Sequence, residues 1–342
     1  MTHSIQISAA AGSHVQGIAV DAKREYIYVS ITTQLVKADM NGNIVGSVTG
    51  LAGHLGCIAY NYDDGKVYGS LEFKQDSIGK GILANLGSDK KLQDGFYMTV
   101  FDVDKIDRIG MDAEKDGVMT AVFLKEVYDD YSAPGHRYGC SGIDGTTFAP
   151  AFGQTGGKNY LYVSYGVYSD TGRSDNDHQV ILQYDVSDWG NYARPLNQED
   201  MHRCGPASPK GKYFVFTGNT TYGIQNLEYD PATRTMLAAV YRGKKEQYPN
   251  YPMYFIDCDK EPVNGVLAGI GQEGHQLSLA QLGIRHEATG IYGCEFPHGS
   301  TGIASLGNGD FYISHPFQEN GHYGTTVKLY HFDPNTADFT LL

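Results

Sequence analysis

Three short markers recur along this chain in a fixed order, five times over, and a chain punctuated in this way must build its fold from five similar units. The first is a strand start with a small residue before Ile: Gly17-Ile18, Cys57-Ile58, Gly142-Ile143, Gly223-Ile224 and Gly302-Ile303. The second is a strand ending in Ser: Tyr28-Val29-Ser30, Tyr68-Gly69-Ser70, Tyr162-Val163-Ser164 and Tyr312-Ile313-Ser314, with a degenerate copy at Met236-Leu237-Ala238-Ala239-Val240. The third is a strand ending in Asp: Ala38-Asp39, Phe101-Asp102, Tyr184-Asp185, Ile256-Asp257 and Phe332-Asp333.

The shortest unit serves as the template. Gly17-Ile18-Ala19-Val20 is a short apolar strand, residues 21–24 a polar turn, Tyr26 to Ser30 a second strand and Leu35 to Ala38 a third. Met40-Asn41-Gly42-Asn43 is a strong turn signal that closes the third strand, and Ile44 to Val48 is the fourth. A four-stranded antiparallel meander repeated around a ring is the blade of a β-propeller. The pattern predicts an all-β chain, a five-bladed β-propeller of four-stranded antiparallel blades, filling residues 1–342 as one domain. The blades are expected near 12–50, 54–130, 138–218, 222–296 and 300–342. The last outer strand is drawn either from 339–342 or from the N-terminal residues 4–8, which would close the ring by joining the two chain ends. Abundant Gly and Tyr, 43 and 26 in 342 residues, agree with short strands and turns rather than helices.

Charge narrows the partners. The net charge is −13 and no Lys/Arg-rich run is present, so neither nucleic acid nor an anionic membrane surface is expected. No apolar run approaches the length of a membrane span. The odd number of cysteines, at 57, 140, 204, 258 and 294, cannot pair completely, and a reduced, cytoplasmic protein is the expectation. Cys57, Cys140 and Cys294 read as small buried packing residues rather than zinc thiolates. No dinucleotide-binding, P-loop, zinc-protease, nucleophile-elbow or calcium-loop motif is present, nor a WD or kelch signature.

The candidate site follows from where a propeller places its loops. The lead-ins to the first strands share one face of the ring, and four of the five carry a His: His14, His54, His136 and His298. Imidazoles repeated near an axis can act as metal ligand, general base or hydrogen-bond donor, or can simply cap turns. Glu72, Lys74 and Asp76 follow the second strand of unit two, and Arg137 leads into unit three. Asp144 and Gln225 are read at the position where other first strands carry Ala19, Ala59 and Ala304, so they predict a polar cluster beside the channel. From these the expected catalytic set is His54, Glu72, Arg137 and His298. The expected substrate-binding set is His14, Gln16, Lys74, Asp144, Tyr165, Tyr222, Gln225 and Tyr241. Glu72 and Arg137 are expected in loops, where their removal would abolish turnover at little cost in stability. A divalent metal, if bound, is expected at His14, His54 and His298.

The order of the units resembles the five-bladed propeller architecture used by several bacterial carbohydrate-active enzymes. The likeness covers nearly the whole chain and is one of architecture. The fructan-active members carry Asp-Pro-Asn ahead of their first blade, whereas here Asp333-Pro334-Asn335 follows a third strand and reads as a turn. Several propeller lyases and glycosidases that act on uronic-acid sugars use His and Arg, sometimes with a metal held by His and Gln, and His14, Gln16, His54, Arg137 and His298 are similar in kind. The resemblance implies a hydrolase or lyase acting on a small saccharide or sugar acid. The competing expectation is a non-catalytic binding or scaffold propeller whose axial polar residues only hold the ring together.

Overall fold

The computed structural model describes residues 2–9, 13–319 and 321–342, so the expected start of the first blade at residue 12 lies outside the described residues. The chain is a five-bladed β-propeller. Blade 1 is Val15–Val20, Tyr26–Ile31, Gln34–Asp39 and Ile44–Thr49. Blade 2 is His54–Asn61, Lys66–Phe73, Gly95–Phe101 and Met119–Phe123. Blade 3 is Cys140–Ala149, Tyr160–Val167, His178–Tyr184 and Gly211–Phe216. Blade 4 is Thr221–Asp230, Thr235–Tyr241 and Met253–Asp257, and blade 5 is Ile303–Ser305, Asp310–Glu319 and His322–Asp333. Both chain ends complete blade 5: Ser4–Ala9 and Asp338–Leu341 lie end to end along the same outer edge of His322–Asp333.

Blade 4 departs from the template. Its expected fourth strand near 291–296 contributes one isolated bridge, Cys294 to Met253, and Leu279 makes another to Ile256. The chain between Asp257 and Leu279 detours to the neighbouring blade, where Glu273–Leu277 runs parallel to Gly211–Phe216 and pairs with Val263–Val266. Among the described residues, the ladder of blade 4 therefore has three strands.

Blades stack through apolar faces on both sides, which is why their strands read as nearly continuous hydrophobic runs. In Gly95–Phe101 the side chains alternate between two interfaces: Tyr97 and Phe101 join the core shared with blade 1, and Phe96, Met98 and Val100 the core shared with blade 3. Burying each such side chain is worth about 1.5–3 kcal/mol.

The three sequence markers have distinct physical jobs. The marker Ser residues are buried, and two of them tie adjacent blades together: Ser30 Oγ donates to Gly56 O of blade 2 (2.6 Å), and Ser164 Oγ reaches Gly145 O of its own blade (3.1 Å) and Ile224 O of blade 4 (3.3 Å), whereas Ser70 Oγ donates to Cys57 O (3.4 Å) and Ser314 Oγ meets Thr325 Oγ1 (2.7 Å) within their own blades. The marker Asp residues close Asx turns, with Oδ1 accepting the amide two residues on, as in Asp39–Asn41, Asp185–Ser187, Asp257–Asp259 and Asp333–Asn335. The small residues sit beside β-bulges in the innermost strands.

Those bulges correct one alignment. The residues opposite Tyr28, Tyr68, Tyr162, Leu237 and Tyr312 are Ala19, Ala59, Thr147, Glu228 and Ala304. Gly145-Thr146 and Asn226-Leu227, rather than Gly142-Ile143 and Gly223-Ile224, are thus the counterparts of Gly17-Ile18. Asp144 and Gln225 belong to the layer of Gln16, three residues away from the Ala layer. The expected first-strand starts slipped because blades 3 and 4 have ten-residue inner strands where blade 1 has six.

Two helices interrupt the expected loops. Ser77–Asn85 lies in the segment expected to be a loop between the second and third strands of blade 2, and Lys125–Ser132 follows its fourth strand. The first is capped by Asp76, whose Oδ1 accepts from the amides of Ile78 and Gly79, both at 3.0 Å. No helix among the described residues is long and apolar enough to cross a membrane.

Candidate functional site

At one mouth of the axial channel lies a cavity of about 180 Å³. The layer of Gln16, Asp144 and Gln225 forms its floor, and Glu72, Lys74, His14, His54, Tyr222 and Tyr241 line it above. Nine of the twelve residues expected to bind substrate or act catalytically thus share one enclosure.

Its centre is an ion pair built into strand Lys66–Phe73 and the residues that follow. Glu72 is 5% exposed; its Oε1 lies 2.5 Å from Lys74 Nζ and its Oε2 accepts the Ile143 amide at 3.0 Å. Lys74 Nζ also donates to Ser141 O at 2.9 Å and lies 3.8 Å from Asp76. Gly142 makes this possible. Its φ of 131° favours glycine, and a Cβ there would stand 1.8 Å from Glu72 Oε2. Burial pushes the Glu72 carboxyl up and the Lys74 ammonium pulls it back; burial also works against the Lys74 charge, but Glu72 and Asp76 outweigh it and hold the ammonium protonated.

Asp144 reaches the axis from the bulge in Cys140–Ala149. Its Oδ1 accepts the Cys57 amide at 3.1 Å, across a backbone so close that a Cβ at Gly56 would lie 2.2 Å away. Burial, reinforced by the Glu72 carboxylate, raises Asp144 well above the usual carboxylate range. His54 pairs across the ladder with Glu72, and its Nδ1, 3.7 Å from Glu72 Oε1, has no hydrogen-bond partner among the described residues. Burial and the Lys74 ammonium lower it to about 3, which keeps the imidazole neutral. Tyr222 stands at the rim with a φ of 64°, a conformation that costs an aromatic residue of order 1–3 kcal/mol and persists only where the surroundings hold it.

Three expected site residues lie elsewhere. Tyr165 is fully buried in the blade 2–blade 3 core, its hydroxyl donating to Asp130 Oδ2 at 2.8 Å, so it cannot wall a cavity. Arg137 is drawn to the same buried carboxylate, with Nη1 2.7 Å from Asp130 Oδ1; Lys212 holds the other oxygen. His298 packs at a tilt against His315, ring centroids 4.1 Å apart, and edge-on against Phe296. His136 likewise packs on Tyr131 and Tyr168. The four lead-in imidazoles therefore do not converge: His14 and His54 reach the cavity, and the expected metal trio of His14, His54 and His298 is not assembled. Among the described residues no group of three or more His, Cys, Asp or Glu is placed to hold a metal ion. Glu72 is in a buried strand rather than a loop, because its carboxylate is needed opposite Lys74 and the Ile143 amide.

Below the floor the channel is plugged. Cys57 Sγ lies 3.4 Å from Asn226 Oδ1, and Asn226 Nδ2 donates to Gln16 O (2.7 Å) and Ser300 O (3.0 Å). The remaining three positions of that layer are Gly17, Gly145 and Gly302, which leaves room for the two side chains. Burial raises the Cys57 thiol to about 12, so it is a packing group and not a thiolate. Sequence reasoning missed this plug, and also Ile78 of the capped helix and Ser141, which both line the cavity. The Asp76 cap was the available signal for the helix, and counting back from the Ser markers was the signal for the plug.

No family model matches the chain, and no curated protein matches it in sequence. Solved structures similar to it include a GH43 β-1,3-galactosidase with galactodeoxynojirimycin, 10% identical, with a TM-score of 0.44 over 98% of this chain and 97% of that one. A functionally unknown protein from Desulfotomaculum acetoxidans is 11% identical, with a TM-score of 0.38 over 98% of this chain and 70% of that one. The PQQ domain of pyranose dehydrogenase from Coprinopsis cinerea is 11% identical, with a TM-score of 0.36 over 91% of this chain and 81% of that one. No residue role is carried from these proteins to this chain.

Proposed function

We propose that the axial cavity is the active site of an enzyme acting on a small saccharide or sugar acid, of glycoside hydrolase or lyase type. The observation that carries this reading is one enclosure that brings together a buried carboxyl, Asp144, raised well above the usual carboxylate range by burial, a buried imidazole, His54, and the Glu72–Lys74 pair. Groups whose environments hold them in opposite roles are what acid–base chemistry at neutral pH requires. Asp144 donates its proton to the leaving oxygen. His54 Nδ1, 3.7 Å from Glu72 Oε1, takes a proton from water in hydrolysis or from the carbon next to the carboxylate in elimination; lowered as it is in the empty site it is a weak base, and it acts only as the Glu72 carboxylate stabilises the imidazolium that forms. Gln16 and Gln225 hydrogen-bond hydroxyls, and Tyr222 and Tyr241 form the wall. The volume is below the roughly 300 Å³ at which drug-sized pockets begin, so one sugar ring is the fitting occupant.

The test is turnover of a panel of aryl glycosides and uronate disaccharides by the full chain and by Asp144→Asn and His54→Asn. Loss of turnover in both variants, with sugar binding kept, supports the reading; unchanged turnover in either removes that residue's role. A non-catalytic reading has one observation in its favour, the internal satisfaction of Glu72 by Lys74 and the Ile143 amide. It predicts no turnover of any panel member and no saturable sugar binding.

A further inference from the structure

The opposite mouth of the channel holds a second, larger cavity of about 470 Å³, and it shares no lining residue with the first. It opens because the third axial layer is made of small residues: Ala19, Ala59 and Ala304, with Thr147 beside them. The fifth member of that layer is Glu228. A carboxyl where three of the other four blades carry Ala is not needed to fill the ring.

Glu228 Oε1 accepts the Ser305 amide at 2.7 Å, while Oε2 has only a long contact, 3.4 Å, from the Thr147 hydroxyl. Around it stand Tyr60, Tyr62, Tyr229 and Phe148. Tyr62 is 60% exposed and meets Tyr60 edge-on at 5.2 Å between centroids, so a large aromatic surface is kept open at this mouth. The other charged groups at the cavity are Asp21, whose carboxylate accepts the amides of Lys23, Glu25 and Tyr26, and Arg24, whose guanidinium donates to Leu306 O at 2.7 Å. Asp230, just behind, is held by Thr233 and Ser305.

We infer that this mouth is a binding site for an organic amine, an ammonium group carried on an apolar or aromatic body, with Glu228 as its counter-ion and the Tyr60–Tyr62 pair as its wall. Ring faces attract cations, and the chain's net charge of −13 draws them in. Glu228 is well suited to a ligand that brings its own charge. Burial raises it to about 8, so the empty site is mostly neutral at pH 7 and an arriving ammonium replaces the proton. Amine binding therefore releases a proton.

The experiment is calorimetric titration of the full chain with benzylamine and, separately, benzyl alcohol at pH 7 in two buffers of different ionisation heat. Benzylamine should saturate with release of close to one proton, and benzyl alcohol should bind at least tenfold more weakly. Glu228→Gln keeps an oxygen for the Ser305 amide; it should weaken benzylamine at least tenfold and abolish the proton release. Tyr62→Ala should weaken it about threefold or more, as loss of a cation–π contact implies. Asp144→Asn, at the other mouth, should leave benzylamine binding unchanged. Equal binding of the alcohol, no saturation by the amine, or a Glu228→Gln variant that binds as the parent does would overturn the proposal.

Discussion

The two mouths of this channel are built on the same five strands, three residues apart, and differ in almost every physical respect. The upper one is small and crowded: the layer of Gln16, Asp144 and Gln225 meets an ion pair whose members bond to each other and to backbone. The lower one is more than twice as large, 470 against 180 Å³, because alanines withdraw from the axis and leave Glu228 as the one carboxyl of their layer, among aromatic rings. A propeller ring fixes the positions and leaves the chemistry to whichever residue occupies each layer. Polar side chains that fill a layer must satisfy one another; small ones leave the satisfaction to a ligand.

The contrast can be broken by experiment, and the largest effect belongs to the upper mouth. Asp144→Asn should lower turnover by about 10²–10⁴-fold, the usual worth of a positioned acid, with little change in melting temperature since its oxygen still accepts the Cys57 amide. Lys74→Met strands the buried Glu72 carboxylate and should cost about 3–5 kcal/mol in denaturant unfolding, as removal of one member of a buried pair does. The pH dependence of stability separates the mouths next. Glu228 is raised to about 8, so the folded chain keeps a proton the unfolded chain gives up near pH 4.3, and stability falls as pH rises through that interval. Glu228→Gln should remove that slope. His54, lowered to about 3, acts in the opposite direction: the unfolded chain protonates first, and stability is lost as pH falls below about 6.5. His54→Asn should flatten the acid limb, part of which His178 and His315, both lowered to about 4, will retain. The smallest effect is Tyr62→Ala at the exposed lower rim, expected within about 0.5 kcal/mol by thermal unfolding.

Most of the fold was legible because its markers are local chemistry. An Asx turn needs its Asp, and a buried hydroxyl that ties two inner strands needs its Ser, so both recur at fixed places. The degenerate copy fits this: Ala239 lies opposite Asn226, in the place of Ser30 opposite Gly17. What sequence could not carry was the bulge. Extra residues in Cys140–Ala149 and Thr221–Asp230 shift the register without changing the composition, and this moved Asp144 and Gln225 into the wrong layer. The expected residues share the cavity where they sit on or beside inner strands, as His14, His54 and Glu72 do. They failed where a nearby partner was stronger than the axis, as Asp130 is for Arg137 and Tyr165 and His315 is for His298.

Thr221–Asp230 presents Tyr222 and Gln225 to one mouth and Glu228 and Tyr229 to the other, with Asn226 of the plug between them, and it belongs to the blade with the shortest ladder. Cys57 and Asn226 stand between the two cavities, yet the backbone that carries Asn226 is common to both ends. Thermodynamic linkage then applies. An occupant that displaces this strand at one mouth changes affinity at the other by some factor, and the second occupant must return the same factor to the first.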